Sequence, residues 1–499
     1  MTATQTSVFT PGSDLRRSVK HQYLRLQAQL EGTGPDRAIP WIVATILFLL
    51  FAGLALARLR SLELGEDFAA WLQGVWLIGE DLPPEVSVTG RSIYEGQFSI
   101  IMWPIAQVAR VVPTAPFLLI IQSAALAVGV VPLWRIARRV LELGIETSLV
   151  LAIAYGLQPN LHNLNLSGFH PEALAVPTMV YAYLASQREQ WVRFAMAVIV
   201  TLAVRSDLGL VMIGLGALLA VEGRTRAGRL TAGAGAVWGV LALLIFQADL
   251  AGGEFVHSEA FASYGDGPVS ILWGMLGSPI DVIKDFLAEE NFARLVSLFA
   301  PLLFLPILKP RFQLPLMLFG AFGFIASIPP GEFGSPQQDV AALAFLPVAT
   351  AFAFRTLGRR SIHRVFVNGR LLTGVVFASL VFFTLSAGSS PYNSPWSWGS
   401  RDAEELNILA AVDLVGDDEA VAALDRSMPH LAERVDITLF RHDKPLHRPA
   451  DREFAADVII LDEESPDWTP VARATFDQVA AALEFDKVAQ FGDIGVYRR

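Results

Sequence analysis

The sequence predicts an all-α polytopic membrane protein of about eleven transmembrane helices with a small C-terminal extracytoplasmic α/β domain. Three observations carry that prediction. Hydrophobic residues make up 53% of the 499 residues and charged ones only 17%, and the mean hydropathy is +0.45. The apolar residues also come in blocks of the ~20 residues that a helix needs to cross a hydrocarbon core. The net charge of −10 and the lack of a basic run interleaved with aromatics argue against nucleic acid. With no cysteine, disulfides, thiolate catalysis and thiolate metal sites are excluded.

Residues 1–37 are polar and hold Arg16, Arg17, Lys20, Arg25 and Arg37, with no small-residue cleavage site close behind. They read as an uncleaved cytoplasmic N-terminal tail, because Lys and Arg at the end of a span bias that end to the cytoplasm. The first span, 38–57, carries no charge and leads into a first external loop at 58–113. Within that loop the apolar block Phe98–Val112 is laid along the outer surface, since counting it as a crossing scatters the basic clusters over both faces. The further spans run roughly over 114–134, 146–160, 171–187, 191–204, 207–222, 229–249, 292–308, 312–329, 339–357 and 369–388. The loops assigned to the cytoplasm then receive Arg135, Arg138 and Arg139, Arg188 and Arg193, Arg224, Arg226 and Arg229, Lys309 and Arg311, and Arg355 to Arg370. Independent loops agreeing in sign support this topology, which encloses a transmembrane domain at 38–390 with a long external loop at 250–290. The Gly-rich run Ala232–Gly235 precedes no Lys-Ser/Thr and reads as a close helix contact rather than a phosphate loop.

The opposite face collects ionisable and amide side chains. They include Glu66, Asp67, Gln97, His162, His170, Glu172, Arg205, Asp207, His257, Gln338 and Asp339. Such groups are costly at a bilayer boundary unless paired or facing a wet cavity, so their segregation predicts one external active cavity. Structural readings stand beside the functional ones. Asp67 suits the N-cap of the helix that starts near Phe68. His170-Pro171-Glu172 suits a helix start with Pro171 in the first position, and Arg205 with Asp207 suits an ion pair across the break between two short spans.

Past a Gly/Ser/Pro linker at 391–401, charged residues become frequent. Short β-rich runs at Ala420–Leu424, Asp436–Phe440, Val458–Leu461 and Gly495–Tyr497 alternate with helical patterns such as Val471–Phe485. This predicts a small extracytoplasmic α/β domain at 402–499, and with no Gly-x-Gly-x-x-Gly it suits acceptor recognition better than a dinucleotide.

Four strings carry a family resemblance: Asp67-x-x-x-Trp71-x-Gln73-x-x-Trp76, Phe98-Ser99, Phe169-His170-Pro171-Glu172-Ala173-Leu174-Ala175-Val176-Pro177, and Val204-Arg205-Ser206-Asp207-Leu208-Gly209-Leu210. Together they resemble a bacterial and archaeal family of predicted multi-pass membrane proteins, known as a domain of unknown function. Its members look like the GT-C superfamily of polyprenyl-phosphate-sugar glycosyltransferases. The similarity covers roughly 40–360 and fits the C-terminal piece more loosely, through Met428–Arg434 and Asp457–Asp462.

The resemblance implies a GT-C-like fold and transfer of a sugar from a polyprenyl-phosphate donor to a glycan, lipid or protein acceptor at the outer face of the plasma membrane. It places Asp67 where these enzymes keep an acidic residue in the first external loop. Asp67 or Glu66 is then the catalytic base, and Arg205 the donor-phosphate partner, a role the guanidinium fork suits. Gln73, Gln97, His170, Glu172, Asp207 and His257 are the expected substrate contacts. No cofactor is implied; Asp67, His170 and Glu172 offer a divalent metal ligands without a metal-binding spacing. This chain has Gln97 where the family usually has His, Arg205 and Ser206 where it has Lys-Glu, and no His-Tyr pair around Gln338–Val340. Two other readings follow from the composition and these departures: a lipid or solute transporter or flippase, and a non-catalytic binding member of the same family.

Overall fold

The computed structural model of the protein describes residues 32–250, 258–325, 336–361, 364–392, 398–444, 446–448 and 452–499. The first uncharged block folds as α1 (Thr33–Arg60), with Asp36 in its first turn and Arg58 and Arg60 in its last. A tight turn leads to α2 (Glu66–Gly79). The block that the charge pattern lays on the surface forms α3 (Met102–Ala109), eight residues long. At 1.5 Å per residue it is far too short to cross a membrane. Its Met102, Ile105, Ala106 and Ala109 are buried in the same apolar cluster as α2, while Ile100, Trp103 and Val111 are exposed.

The helices α4 (Thr114–Val140), α5 (Ile145–Gly156), α6 (Pro159–Leu166), α7 (Ala175–Gln187), α8 (Trp191–Val204), α9 (Leu208–Val221) and α10 (Thr225–Leu250) follow. Then come α11 (Pro268–Gly277), α12 (Pro279–Phe286), α13 (Glu289–Phe299), α14 (Leu314–Ile325), α15 (Val340–Leu357) and α16 (Gly369–Ser386). Among the described residues five helices, α1, α4, α10, α15 and α16, are long and apolar enough to cross a membrane. The expected count of about eleven spans is met in part: these five reach full length, and most of the other apolar blocks form shorter helices. With 14 residues each, α8 and α9 reach about 21 Å, short of the ~30 Å core. The reason is local chemistry. Arg205 and Asp207 interrupt α8 and α9, and Pro171 opens a 3-10 turn ahead of α7. In the 292–308 block Pro301 and Pro306 remove backbone donors, so α13 gives way to two 3-10 turns separated by Leu303 and Phe304 in the left-handed region.

The two-ended charge pattern is present in the packing. At one end Asp36 pairs with Arg138 at 2.7 Å, Arg360 pairs with Glu142, and Arg364 donates to the Arg138 carbonyl. At the other end Asn160 and Arg294 converge on Asp339, and Arg205 meets Glu172. Helices α9 and α10 touch through backbone: a Cβ on Gly235 would collide with the Gly209 carbonyl, and one on Gly228 with that of Gly216. Gly235, from the run read as a helix contact, has that role.

The C-terminal segment is an α/β unit. Its sheet has the order β4-β5-β3-β1-β2, built from β1 (Val421–Ala423), β2 (Ile437–Leu439), β3 (Val458–Asp462), β4 (Asp486–Phe491) and β5 (Ile494–Arg498). Strand β1 runs parallel to β2 and β3, and β5 runs antiparallel to β3 and β4. Four of these strands lie on the predicted runs, and β4 is an addition. This unit and α2 bury one continuous core: Phe68, Leu72 and Val75 cluster with Ile408, Val421, Met428 and Val458.

Gln73 sits in that seam. Its Nε2 donates to Ser87 Oγ (2.7 Å) and to the carbonyls of Arg434 and Val435 (3.0 and 2.9 Å), and its Oε1 accepts from Val88 N. Gln73→Leu keeps the volume and strands these groups, so the thermal unfolding of the detergent-solubilised protein is expected to show a loss of about 1–3 kcal/mol. Proteolytic release of the C-terminal unit at lower temperature is the second expected sign.

Candidate functional site

The carboxylates Glu66 and Asp67 stand in the first turn of α2, whose N-cap is Gly65 without a side-chain cap of its own. The free amide of Glu66 is instead taken by Asp425 of the C-terminal unit, N to Oδ1 2.6 Å. A Cβ on Gly65 would collide with that carboxylate, so glycine is what allows the approach. Asp67 is thus not the cap of α2, and its carboxylate is exposed. A cavity of about 300 Å³ lies against this turn, lined by Arg58, Glu63, Glu66, Asp67, Ser167 and Asp425, among others. Arg58 donates to the carbonyls of Leu166 (2.9 Å) and Glu63 (3.0 Å) and pairs with the Glu63 carboxylate. Burial pushes the Glu66 carboxyl above its ordinary value; Arg441 opposes the rise, and Asp425 and Asp67 add to it.

A second centre lies at the break between α8 and α9. Arg205 donates from Nη1 to Glu172 Oε1 and from Nη2 to Asp207 Oδ2, both at 2.6 Å. Glu172 is fully buried and Asp207 nearly so. The second oxygen of each, Glu172 Oε2 and Asp207 Oδ1, is buried and has no partner among the described residues. The guanidinium lies 5.9 Å from the centre of the Phe319 ring. The loop after the short helix Ile93–Gln97 is zipped onto this break. Ser206 N and Oγ both donate to the Gln97 carbonyl, Ser99 Oγ donates to Val204 O, and Ile101 N to Ala203 O. The side-chain Oε1 of Gln97 is buried and unpartnered as well.

His170, Pro171 and Glu172 reach the cluster through the 3-10 turn Pro171–Leu174 that opens α7. The helix-start reading of this string holds, and Glu172 carries an ion pair in addition. His170 is buried, and its amide donates to Gln122 Oε1 at 2.6 Å. The segment 166–172 joins the two centres. Leu166 and Ser167 line the Asp67 cavity, Gly168 packs on Phe68, the Phe169 ring stands edge-on to Trp71 at 6.3 Å, and Glu172 ends at Arg205.

Of the expected site residues, Gln97, Glu172, Arg205 and Asp207 are brought together with His170 two residues away, and Glu66 and Asp67 share the neighbouring cavity. Gln73 is not among them, since its amide is consumed in the seam with the C-terminal unit. His257 lies outside the described residues. Asp67, His170 and Glu172 do not form a metal-binding group; among the described residues no three His, Asp or Glu side chains do. Arg205, the expected phosphate partner, already commits two of its donors to carboxylates.

Sequence reasoning missed Arg58, Asp425 and Arg294. Arg58 had a signal, as a charge ending the first span nine residues before Asp67. Asp425 had none, because nothing local links it to a helix 359 residues away. Arg294 pairs with Asp339 at 2.7 Å, and Asn160 donates to the same carboxylate. Both residues of that pair line a largely apolar chamber of about 240 Å³ that shares Phe319 with the Arg205 cluster.

The family described as predicted membrane protein (DUF2079) matches residues 58–487. No curated protein matches the chain. Among solved structures, the crystal structure of ArnT from Cupriavidus metallidurans bound to undecaprenyl phosphate is similar at 12% identity with a TM-score of 0.49, over 93% of this chain and 98% of that one.

Two outcomes follow from the geometry. Arg205→Met leaves two buried carboxylates without a counter-charge and is expected to destabilise the protein by about 3–5 kcal/mol. Adding Glu172→Gln should recover part of that loss in thermal unfolding. For Glu66 the folded-state carboxyl lies above its unfolded value. Its stabilising contribution is therefore present below the unfolded value and lost as pH rises through the folded one. Glu66→Gln is expected to raise the unfolding midpoint at neutral pH and leave it unchanged in acid, read from melts across a pH series.

Proposed function

The chain belongs to the family of predicted membrane proteins (DUF2079), and from that footing we propose that it transfers a sugar from a polyprenyl-phosphate donor to an acceptor at the outer face of the plasma membrane. One observation carries this reading: strings far apart in sequence, at Gln97–Ser99, His170–Glu172 and Val204–Asp207, converge on one buried polar cluster, which the segment 166–172 ties to the carboxylate cavity at Asp67. Buried carboxylates with a free oxygen each are acceptors for donors that the described residues do not supply, and sugar hydroxyls are such donors.

In this reading Asp67 is the general base. It is exposed in its cavity, as a group must be to take a proton from an incoming hydroxyl. The acceptor oxygen attacks the anomeric carbon, the bond to the donor phosphate oxygen breaks, and the proton passes to the Asp67 carboxylate. Glu172 Oε2 and Asp207 Oδ1 hold sugar hydroxyls. Arg205 turns its remaining N–H donors toward the departing phosphate, stabilising the charge that develops there. The apolar chamber beyond Phe319 suits the first isoprene units of the donor. The arginine-rich end of the helices faces the cytoplasm by the positive-inside rule, which puts both centres and the C-terminal unit outside. That unit, whose Asp425 walls the Asp67 cavity, stands where an acceptor arrives.

The test is transfer from a polyprenyl-phosphate sugar by the purified protein in proteoliposomes. Asp67→Asn is expected to reduce kcat by roughly 10²–10⁴-fold, and Glu172→Gln to raise KM for the donor. Unchanged transfer in both variants removes the proposed site. Movement of labelled lipid-sugar across the bilayer without product favours a transporter, and donor binding without turnover a binding member of the family.

A further inference from the structure

At the arginine-rich end, far along α8 and α10 from the Arg205 cluster, these two helices enclose a groove of about 720 Å³. Its walls are apolar, with Phe194, Val198 and Ile199 from α8 and Leu230 and Ala234 from α10. Its mouth is basic. Arg224 and Arg226 line it beside Trp191, an exposed ring at the start of α8, where indoles favour the membrane–water boundary. The carboxylate that pairs with Arg224 is already engaged. Glu222 accepts from Tyr183 Oη (2.9 Å) and Gln187 Nε2 (2.7 Å) and pairs with Arg311 at 3.3 Å, which leaves Arg224 at a longer 3.6 Å. Arg226 is exposed and has no partner among the described residues. Arg229 of the next turn adds to the positive charge.

We infer that this groove binds an anionic glycerophospholipid of the leaflet at the arginine-rich end, with its phosphate at Arg224 and Arg226 and an acyl chain between α8 and α10. Charge complementarity selects the occupant. An apolar slot of this size accepts any acyl chain, whereas a mouth lined by Arg224 and Arg226, with no carboxylate among its described lining residues, selects a net-negative headgroup over a zwitterionic one. The site is separate from the proposed glycosyl transfer and does not rest on it.

The experiment uses the full chain in detergent, with quenching of Trp191 fluorescence by dibrominated phosphatidylglycerol against dibrominated phosphatidylcholine. The component due to Trp191 is the part lost in Trp191→Phe. Phosphatidylglycerol is expected to quench it at lower concentration. Arg224→Gln/Arg226→Gln should weaken that binding about 30-fold, from about fivefold per arginine, with little change for phosphatidylcholine. Ala234→Leu, which fills the slot and keeps both arginines, should weaken both lipids. Equal quenching by the two lipids, or a double variant with unaltered preference, overturns the inference. So does loss of the preference on adding millimolar inorganic phosphate, which would make the site one for free anions.

Discussion

Arg205 is held between Glu172 and Asp207 at 2.6 Å on either side, with all three side chains withdrawn from water. Each of these ions gives up several kcal/mol of hydration on burial, and close pairing within a low-dielectric setting is what offsets it. That demand organises the surrounding chain. Glu172 must sit at the start of α7, so Pro171 turns the backbone there. Asp207 must reach back two residues, so α8 ends and α9 begins at this point. The Gln97–Ser99 loop then closes on the break through Ser206 and Val204. With one guanidinium and two carboxylates the cluster keeps a net negative charge, and two of its carboxylate oxygens have no donor among the described residues.

The C-terminal unit is fixed to the membrane helices by equally specific contacts. Asp425 takes the amide of Glu66, Arg426 donates to Leu62 O, Arg401 to Arg60 O, and Gln73 reaches the Arg434 and Val435 carbonyls. Because α2 lacks a cap of its own, the turn that carries Glu66 and Asp67 is completed only when this unit docks. Its sheet is therefore part of what positions those carboxylates.

Much of this was legible in the sequence. Composition and block length gave the membrane class, and arginine counting gave the two-ended distribution that the packing of Asp36 with Arg138 and of Asn160 with Asp339 reproduces. The strings around Gln97, His170 and Arg205 stand out in the sequence as parts of one expected external cavity, while the contacts that join them do not. What was hidden is instructive. Hydropathy reports which residues are apolar and not whether a helix runs unbroken through them, so prolines 301 and 306 and the Arg205–Asp207 break shortened spans that read as complete. Gln73 is an expected substrate contact by resemblance alone, and its amide is instead taken up by Ser87 and Val88 of the following loop and by carbonyls 361 and 362 residues away. Asp425 escaped for the same reason: a helix cap supplied from another unit leaves no trace in the helix's own sequence.

Charge bears on how a lipid-linked donor would be held. The Asp67 cavity sets Glu63, Glu66, Asp67 and Asp425 against Arg58, and the Arg205 cluster is itself net negative. Neither centre attracts a phosphate from a distance, and in the proposed reaction Arg205 would orient one that has already arrived. On the proposed reading affinity for a polyprenyl phosphate would come from its chain, at about 0.8 kcal/mol for each buried CH₂, and the apolar chamber that shares Phe319 with Arg205 is the candidate place for it. Once the chain holds the donor in the bilayer, negative surroundings become useful. On the proposed reading they would disfavour retention of the phosphate once the sugar has left, and the two unpartnered carboxylate oxygens would face the sugar hydroxyls.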